Sequence, residues 1–344
     1  MTPDAAHLAE RLAPSDVERR FSPVGLHGGA PLSVVSTPAD VFALAAADMA
    51  AAEVRLRELV ASEVEVVEEI GSYLTAAGGK RLRPLLAALG ARAVGWAGPV
   101  AGMMCAGELI HLGSLLHDDV VDDGAMRRGL PAAQRVYGNA AVILTGDFCL
   151  ARAVLLAAEE GGHAPVTGLA RAVTAMAEGE VLQLQRAGNL DTTLDEYLEM
   201  IDKKSAALIA WCAASGALAS GDTDAAEALE CFGRGVGVAF QITDDVLDYS
   251  GNTGKSAGQD LRERKLTLPL LFAMEVEPSL RERLFTDEVP ELLEVVRGTG
   301  ALERALEEAR RRVDVSIRAL DALPSSVHRD ALVVLGRYLV ERVA

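Results

Sequence analysis

Residues 103–123 read MMCAGELIHLGSLLHDDVVDD, an apolar run broken only by Glu108 and His111 before it ends abruptly in acid. Its length and small-residue content are those of a buried helix, and nothing in it alternates as a strand would. Residues 232–248, FGRGVGVAFQITDDVLD, repeat the plan. Both segments close on D-D-V-x-D. Residues four apart share a helix face, so Asp118 with Asp122 and Asp244 with Asp248 each make a two-carboxylate comb, with Asp119 and Asp245 beside them. Like charges at this spacing repel, and acid at a helix C-terminus opposes the macrodipole. One such comb could be a solvated helix end in an acid-rich protein. Two of them, each closing an apolar helix, point to cations held between them. Magnesium suits such a place, because it is typically bound by one or two carboxylates plus substrate phosphates.

Working outward, Ala, Leu, Val, Glu and Arg dominate the composition, while aromatic residues make up 4%. That balance predicts an all-α protein. Residues 1–37 carry scattered Pro, Gly and Ser without a period, and read as a loosely held extension. From Pro38 the helical pattern predicts one domain, 38–344, a helical bundle around a central cavity. Thr37 or Asp40 can start the first helix. Later helices are expected over 84–96, 101–122, 139–159, 164–186, 194–220, 223–249, 265–275, 290–297, 300–322 and 325–343, with no stretch reading as a strand.

The net charge of −17 argues against non-specific nucleic-acid binding. Cys105, Cys149, Cys212 and Cys231 lie far apart with no CxxC pair, so neither a disulfide framework nor a zinc site is indicated, and a cytoplasmic setting is the default. Residues 1–20 lack an apolar signal core. The most apolar stretches, 85–107 and 205–221, are rich in Ala and Gly. They read as buried bundle helices rather than transmembrane segments.

An acidic protein that handles anions must gather its bases locally. Gly78-Gly79-Lys80-Arg81-Leu82-Arg83-Pro84 places three cations in a glycine-led turn entering a helix, and Arg127-Arg128 follows the first comb. Such donors suit phosphate oxygens. His111 lies two helical turns before Asp118 on the same face, although a lone histidine there is ordinarily a core residue. Lys204, Lys255 and Lys265 complete the set, each a surface charge if taken alone.

These segments resemble the trans-prenyltransferases, or polyprenyl diphosphate synthases, of the long-chain octaprenyl and heptaprenyl type, from about residue 40 to the C-terminus. The similarity rests on GGKRLRP (78–84), ELIHLGSLLHDDVVDDGAMRRG (108–129), LTGDF (144–148), GEVLQL (179–184), KKSAAL (203–208), FQITDDVLDYSG (240–251), GKSAGQDL (254–261) and KLTLPLL (265–271). It implies that Lys80, Arg83, His111 and Arg128 hold isopentenyl diphosphate. It also implies that Asp118, Asp122 and Asp244 ligate two or three Mg2+ ions, and that Arg127, Lys204, Ser205, Gln241, Lys255 and Lys265 meet an allylic diphosphate. A homodimer is implied as well, and the 139–159 helix with its Ala-rich surface is a candidate for its interface. Ser205 stands where the family usually has Thr and keeps the hydroxyl. Arg264 stands where Gly is common, which leaves the loop carrying Lys265 in question.

The reaction so implied is metal-assisted ionisation of the allylic diphosphate, attack by the double bond of isopentenyl diphosphate, and loss of a proton to the departing diphosphate. Asp118, Asp119, Asp122, Asp244, Asp245 and Lys204 are its expected catalytic set. Product length should follow the helix below Asp118. Gly113 and Ser114 are small, Ile110 lies one turn below Ser114, and no Phe, Tyr or Trp occurs between Met103 and Asp122. The expectation is an all-trans product of hexaprenyl length or longer, of the kind used for quinone side chains, with Gly113→Phe shortening it. The alternative is that Gly113 and Ser114 serve only close helix packing. Rival readings are a geranylgeranyl or farnesyl diphosphate synthase, a class I terpene cyclase, or a regulatory subunit of a heteromeric synthase. A cyclase fits poorly, because its second metal motif is spaced more widely than Asp244 to Asp248.

Overall fold

The computed structural model describes residues 34–76, 78–127, 129–251 and 257–341, so most of the 1–37 extension, Arg128 and Lys255 lie outside the described residues. In chain order the helices are α1 (Pro38–Val60), α2 (Glu65–Ala76), α3 (Leu82–Ala93), α4 (Val100–Val121), α5 (Ala133–Tyr137), α6 (Asn139–Leu156), α7 (His163–Arg186) and α8 (Leu194–Ile201). They continue as α9 (Ala207–Ser220), α10 (Thr223–Ser250), α11 (Gln259–Arg262), α12 (Leu268–Val276), α13 (Leu280–Arg283), α14 (Val289–Gly298), α15 (Ala301–Ile317) and α16 (Val327–Glu341). Thr37 caps α1 in a reciprocal box: its hydroxyl accepts from the Asp40 amide at 3.3 Å, and Asp40 Oδ2 accepts from the Thr37 amide at 2.9 Å.

Two expectations need correction. Met126–Arg127 (β1) pairs antiparallel with Leu130–Pro131 (β2) just after α4, where no strand was expected. A two-residue ladder is too short to leave a period-two signature. The stretch 194–220 is not one helix either: residues Asp202–Ala206 form a π-turn between α8 and α9. Such widened turns recur at functional sites, and this one contains Lys204 and Ser205.

At the centre lies α9, whose residues Ala207 through Ala217 are all buried. It packs against α3 on one side and α10 on the other, with α4 on α6 and α10 on α15 completing the bundle. The crossings are close because small residues meet there. A Cβ on Gly90 would lie 2.0 Å from the Ala213 carbonyl oxygen, and one on Gly216 would lie 2.5 Å from Ala91 Cα. Close α9–α10 contact depends equally on Gly233 and Gly237, which meet Ala210 and Ala206. The stretches 85–107 and 205–221 fall on α3, α4 and α9, which are largely core. By length and composition alone α4 and the 139–161 segment could cross a membrane, but 78% of the tested α4 window is buried inside the bundle, against 39% of the other.

The α3–α9 crossing predicts that Gly216→Val destabilises the fold by about 1–3 kcal/mol or more, since backbone on α3 cannot move away cheaply. A denaturant midpoint equal to wild type would show that this crossing is looser than the geometry indicates.

Candidate active site

A cavity of about 160 Å3 lies beside the end of α10, lined among others by Lys204, Ser205, Gln241, Asp245, Asp260 and Lys265. Asp118 comes from the last turn of α4 and is half-buried. Burial pushes its carboxyl up to about 6; nearby Glu180 and Asp122 add to the rise, and Lys204 and Arg127 oppose it. Asp122 caps α4 and is exposed. At the end of α10, Asp244 pairs with Lys80 at 3.4 Å. The two combs and the Gly78–Pro84 turn are thus brought together by α3, α4 and α10.

Asp119 and Asp245 take a different position from their neighbours, because adjacent residues on a helix point apart. Asp119 is 2% exposed and pairs with Arg127 Nε, which fixes the guanidinium at the start of the β-ribbon. Gln134 donates to the Asp119 carbonyl at 2.6 Å and to the Gly124 carbonyl at 2.7 Å, closing the corner after α4. Asp245 is buried and accepts from Tyr197 Oη at 2.6 Å and Gln241 Nε2 at 2.8 Å. Gln241 Oε1 in turn accepts from Ser205 Oγ at 2.7 Å. One chain of hydrogen bonds therefore runs from the second comb to the π-turn. Burial raises the carboxyls of both Asp245 and Asp260; Asp244 and Asp248 add to the rise at Asp245, and Asp245 and Asp248 to that at Asp260.

Lys204 and Lys265 are already partnered. Lys204 Nζ lies 2.5 Å from Glu180 Oε2 and donates to Gln183 Oε1 at 3.2 Å. The approach is possible because Gly179 on α7 has no side chain; a Cβ there would lie 2.4 Å from the Lys204 amide nitrogen. Lys265 pairs with Glu263 at 2.5 Å and lies within the field of Asp122. Arg83 is largely enclosed, its Nε buried without a hydrogen-bond partner, and burial pulls its pKa below the usual arginine value. His111 is half-buried on the Asp118 face of α4.

Arg81, read with Lys80 and Arg83 as one cationic cluster, turns the other way. Its backbone is left-handed (φ 46°), and its side chain is buried between Glu53 (2.6 Å) and Glu108 (2.5 Å). Burial alone would lower its pKa; the two carboxylates raise it instead. This triad ties the Gly78–Pro84 turn to α1 and α4.

Among the chain-length positions, Gly113 is packed on α6: a Cβ there would lie 2.6 Å from Leu150 Cδ1 and 2.9 Å from the Gly146 carbonyl oxygen. Its small size therefore has a packing reason, and Gly113→Phe would disturb the α4–α6 crossing as well as any tail. Ser114 is half-buried, with its hydroxyl on the His111 carbonyl at 2.9 Å, and Ile110 below it is 1% exposed.

Tyr197, Glu180, Gln183, Asp260 and Glu263 were not singled out by the sequence. Glu180 and Gln183 fall inside the quoted GEVLQL segment, where their three-residue spacing places them on one helix face. Tyr197 gave no signal beyond being an aromatic residue seven positions before Lys204.

Residues 64–290 match the family described as polyprenyl synthetase. The chain belongs to the polyprenyl synthetase family. It is 38% identical over 316 residues to the octaprenyl diphosphate synthase of Escherichia coli K12, covering 87% of this chain and 97% of that one. A decaprenyl diphosphate synthase structure from Rhodobacter capsulatus superposes with a TM-score of 0.82 at 38% identity, covering 89% of this chain and 99% of that one. A polyprenyl synthase from Caulobacter crescentus CB15, solved with calcium and isoprenyl diphosphate, gives 0.84 at 39% identity, covering 88% and 97%. The protein is a prenyltransferase with the all-α isoprenoid synthase fold.

The donor set fits the divalent metal used by this family. It consists of carboxylate oxygens, the ligands a hard cation prefers. Among the described residues no three His, Cys, Asp or Glu side chains converge closely enough to enclose an ion alone. Such a site suits a cation completed by waters and substrate phosphate.

Removing Arg81 strands the buried Glu108 carboxylate beside the half-buried Glu53, so Arg81→Ala should cost about 3–5 kcal/mol. Arg81→Met combined with Glu108→Gln should recover part of that loss in a denaturation series, whereas strictly additive losses would show that the triad is not coupled.

Proposed function

We propose that this prenyltransferase joins isopentenyl diphosphate to an allylic diphosphate and makes a long all-trans polyprenyl diphosphate, hexaprenyl or longer. The observation that carries the reading is that both carboxylate combs lie close to one set of cations: Lys204 and Arg127 act on Asp118, Asp122 acts on Lys265, and Lys80 pairs with Asp244. The long-chain relatives, octaprenyl and decaprenyl diphosphate synthases by name, support the product class. The absence of an aromatic residue between Met103 and Asp122 agrees with it.

Asp118, Asp122 and Asp244 are the residues that would hold Mg2+, as two or three ions. When bound, the metal would take up the negative charge that develops on the departing diphosphate. Lys204, Lys265 and Arg127, with Lys255, meet the same diphosphate, while Ser205 and Gln241 supply neutral hydrogen bonds. Lys80, Arg83, His111 and Arg128 receive isopentenyl diphosphate. The allylic C–O bond breaks with its electron pair going to the diphosphate oxygen. The double bond of isopentenyl diphosphate then attacks the allylic carbon, and a proton leaves the adjoining carbon for the released diphosphate. No protein base is needed. The chain orients the two substrates and excludes water from the carbocation.

The elongating tail follows α4 past Ser114 toward Ile110. We also read α6 as a homodimer surface, because its outward residues are apolar: Leu144 is 65% exposed and Leu155 48%. The enzyme is placed in the cytoplasm, in keeping with four free cysteines.

Three measurements test this reading. Asp118→Ala and Asp244→Ala should each lower turnover by roughly a hundredfold or more, as should excess chelator; near wild-type rates would end the assignment. Purified protein given farnesyl and isopentenyl diphosphates should turn over without a second subunit and yield products beyond geranylgeranyl. Ser114→Phe should shorten those products, and an unchanged length would show that the tail runs elsewhere.

A further inference from the structure

Among the described residues three non-glycine positions have a left-handed backbone: Arg81 (φ 46°), Asp123 (φ 47°) and Arg264 (φ 52°). Each adjoins a site residue, respectively Lys80, Asp122 and Lys265. Strain of this kind persists only where surrounding contacts impose it. Arg81 is held by Glu53 and Glu108. Asp123 is held by Arg135, which donates to its carboxylate and its carbonyl at 2.7 Å each. Arg264 has no hydrogen bond or ion pair through its side chain among the described residues. Its guanidinium lies over the ring of Phe285, 4.8 Å from the centroid.

The position of Arg264 explains why this matters. α11 ends at Arg262, and the chain then closes a C-terminal motif in which the Lys265 amide donates to the Asp260 carbonyl at 2.8 Å and the Arg264 amide to the Leu261 carbonyl at 3.1 Å. This paired bonding requires a left-handed residue at the place of Arg264, ordinarily glycine. Lys265 is the next residue, and the turn sends its side chain into the cavity. The Arg264 carbonyl also accepts from the Gly188 amide at 3.1 Å, which docks the turn beside the end of α7.

We propose that the Arg264–Phe285 stack is a positioning device that stands in for glycine, holding the strained turn so that Lys265 meets the allylic diphosphate. This rests on reading the cavity as the diphosphate site. The aromatic face attracts the guanidinium, and the contact offsets the cost of placing a branched backbone in left-handed geometry. Remove the ring and the turn can relax, carrying Lys265 away from its aim. Put glycine at 264 and the geometry holds without the ring.

Phe285→Leu, Phe285→Tyr, Arg264→Gly, Arg264→Gly/Phe285→Leu and Lys265→Ala are compared by steady-state kinetics with farnesyl diphosphate varied at saturating isopentenyl diphosphate and magnesium. Phe285→Leu should raise KM for farnesyl diphosphate about two- to fivefold, the size of an exposed cation–π contact. Phe285→Tyr and Arg264→Gly should stay near wild type, and the double variant should return to the KM of Arg264→Gly. An unchanged KM in Phe285→Leu overturns the proposal, as does a rise that glycine at 264 fails to relieve. If Lys265→Ala leaves KM unchanged while Asp118→Ala abolishes turnover, the lysine has no part in binding and the device falls, though prenyl transfer stands.

Discussion

Carboxylates are crowded at the ends of α4 and α10, and burial makes each ionised one costly. Asp118, Asp245 and Asp260 all have raised pKa values for this reason. In a buried site, charge must be neutralised by a partner or a proton. The nearby lysines already pair with acids: Lys80 with Asp244, Lys204 with Glu180 and Lys265 with Glu263. What remains is a deficit of positive charge at the place where two diphosphates, themselves anions, are expected. That arrangement makes sense only with an additional cation that carboxylates and phosphates hold together. The acidic composition of the chain as a whole follows the same logic, since local positive charge comes with the ligand set rather than from a basic surface.

Placing those acids demands helices that approach more closely than ordinary side chains allow. α9 touches α3 through Gly90 and Gly216, and α10 through Gly233 and Gly237. α7 meets the π-turn through Gly179, and α4 meets α6 through Gly113. Each contact sets a distance at the cavity. Gly179 lets Lys204 reach Glu180, and the α3–α9 crossing fixes the helix that begins after Lys80. Packing and chemistry are thus one problem here: the apolar, small-residue helices that looked suited to a membrane are the frame that keeps the charged end in register.

Much of this was legible before any coordinates. Helix periodicity located the long helices, because α4, α6, α7 and α10 have apolar faces long enough to show it. The two D-D-V-x-D segments announced themselves, since like charges closing an apolar helix have no structural purpose. What escaped was local or tertiary. The ribbon at 126–131 is too short for a period, and a π-turn differs from an α-helix by one residue, which leaves no trace in hydrophobic spacing. Arg81 and Arg83 look alike in GGKRLRP, yet the left-handed backbone at Arg81 sends it to a buried acid pair that lies 27 residues away at Glu108 and 28 at Glu53. Arg264 appeared only as an unusual replacement for glycine. The backbone angle supplies the physical reason for that glycine.

The ion pairs around the site divide by burial, and the division matches their expected tasks. Arg81 and Glu108 have side chains only 2% and 4% exposed, and separating them would strand a charge in the core. They are scaffold. Lys80 and Asp244 are 57% and 38% exposed at 3.4 Å, a pair of the kind that contributes about 0–1 kcal/mol. Such a contact is easily exchanged, as the proposed function requires of Asp244 toward a metal ion and Lys80 toward a phosphate. Lys204 with Glu180 and Lys265 with Glu263 are intermediate, partly buried and close. Their acids hold each lysine in place, and at Lys265 Glu263 also raises the pKa against the effect of burial. The most buried pair belongs to the frame and the most exposed one lies at the acidic end of α10, so the frame stays fixed while the exposed contact is free to change partners.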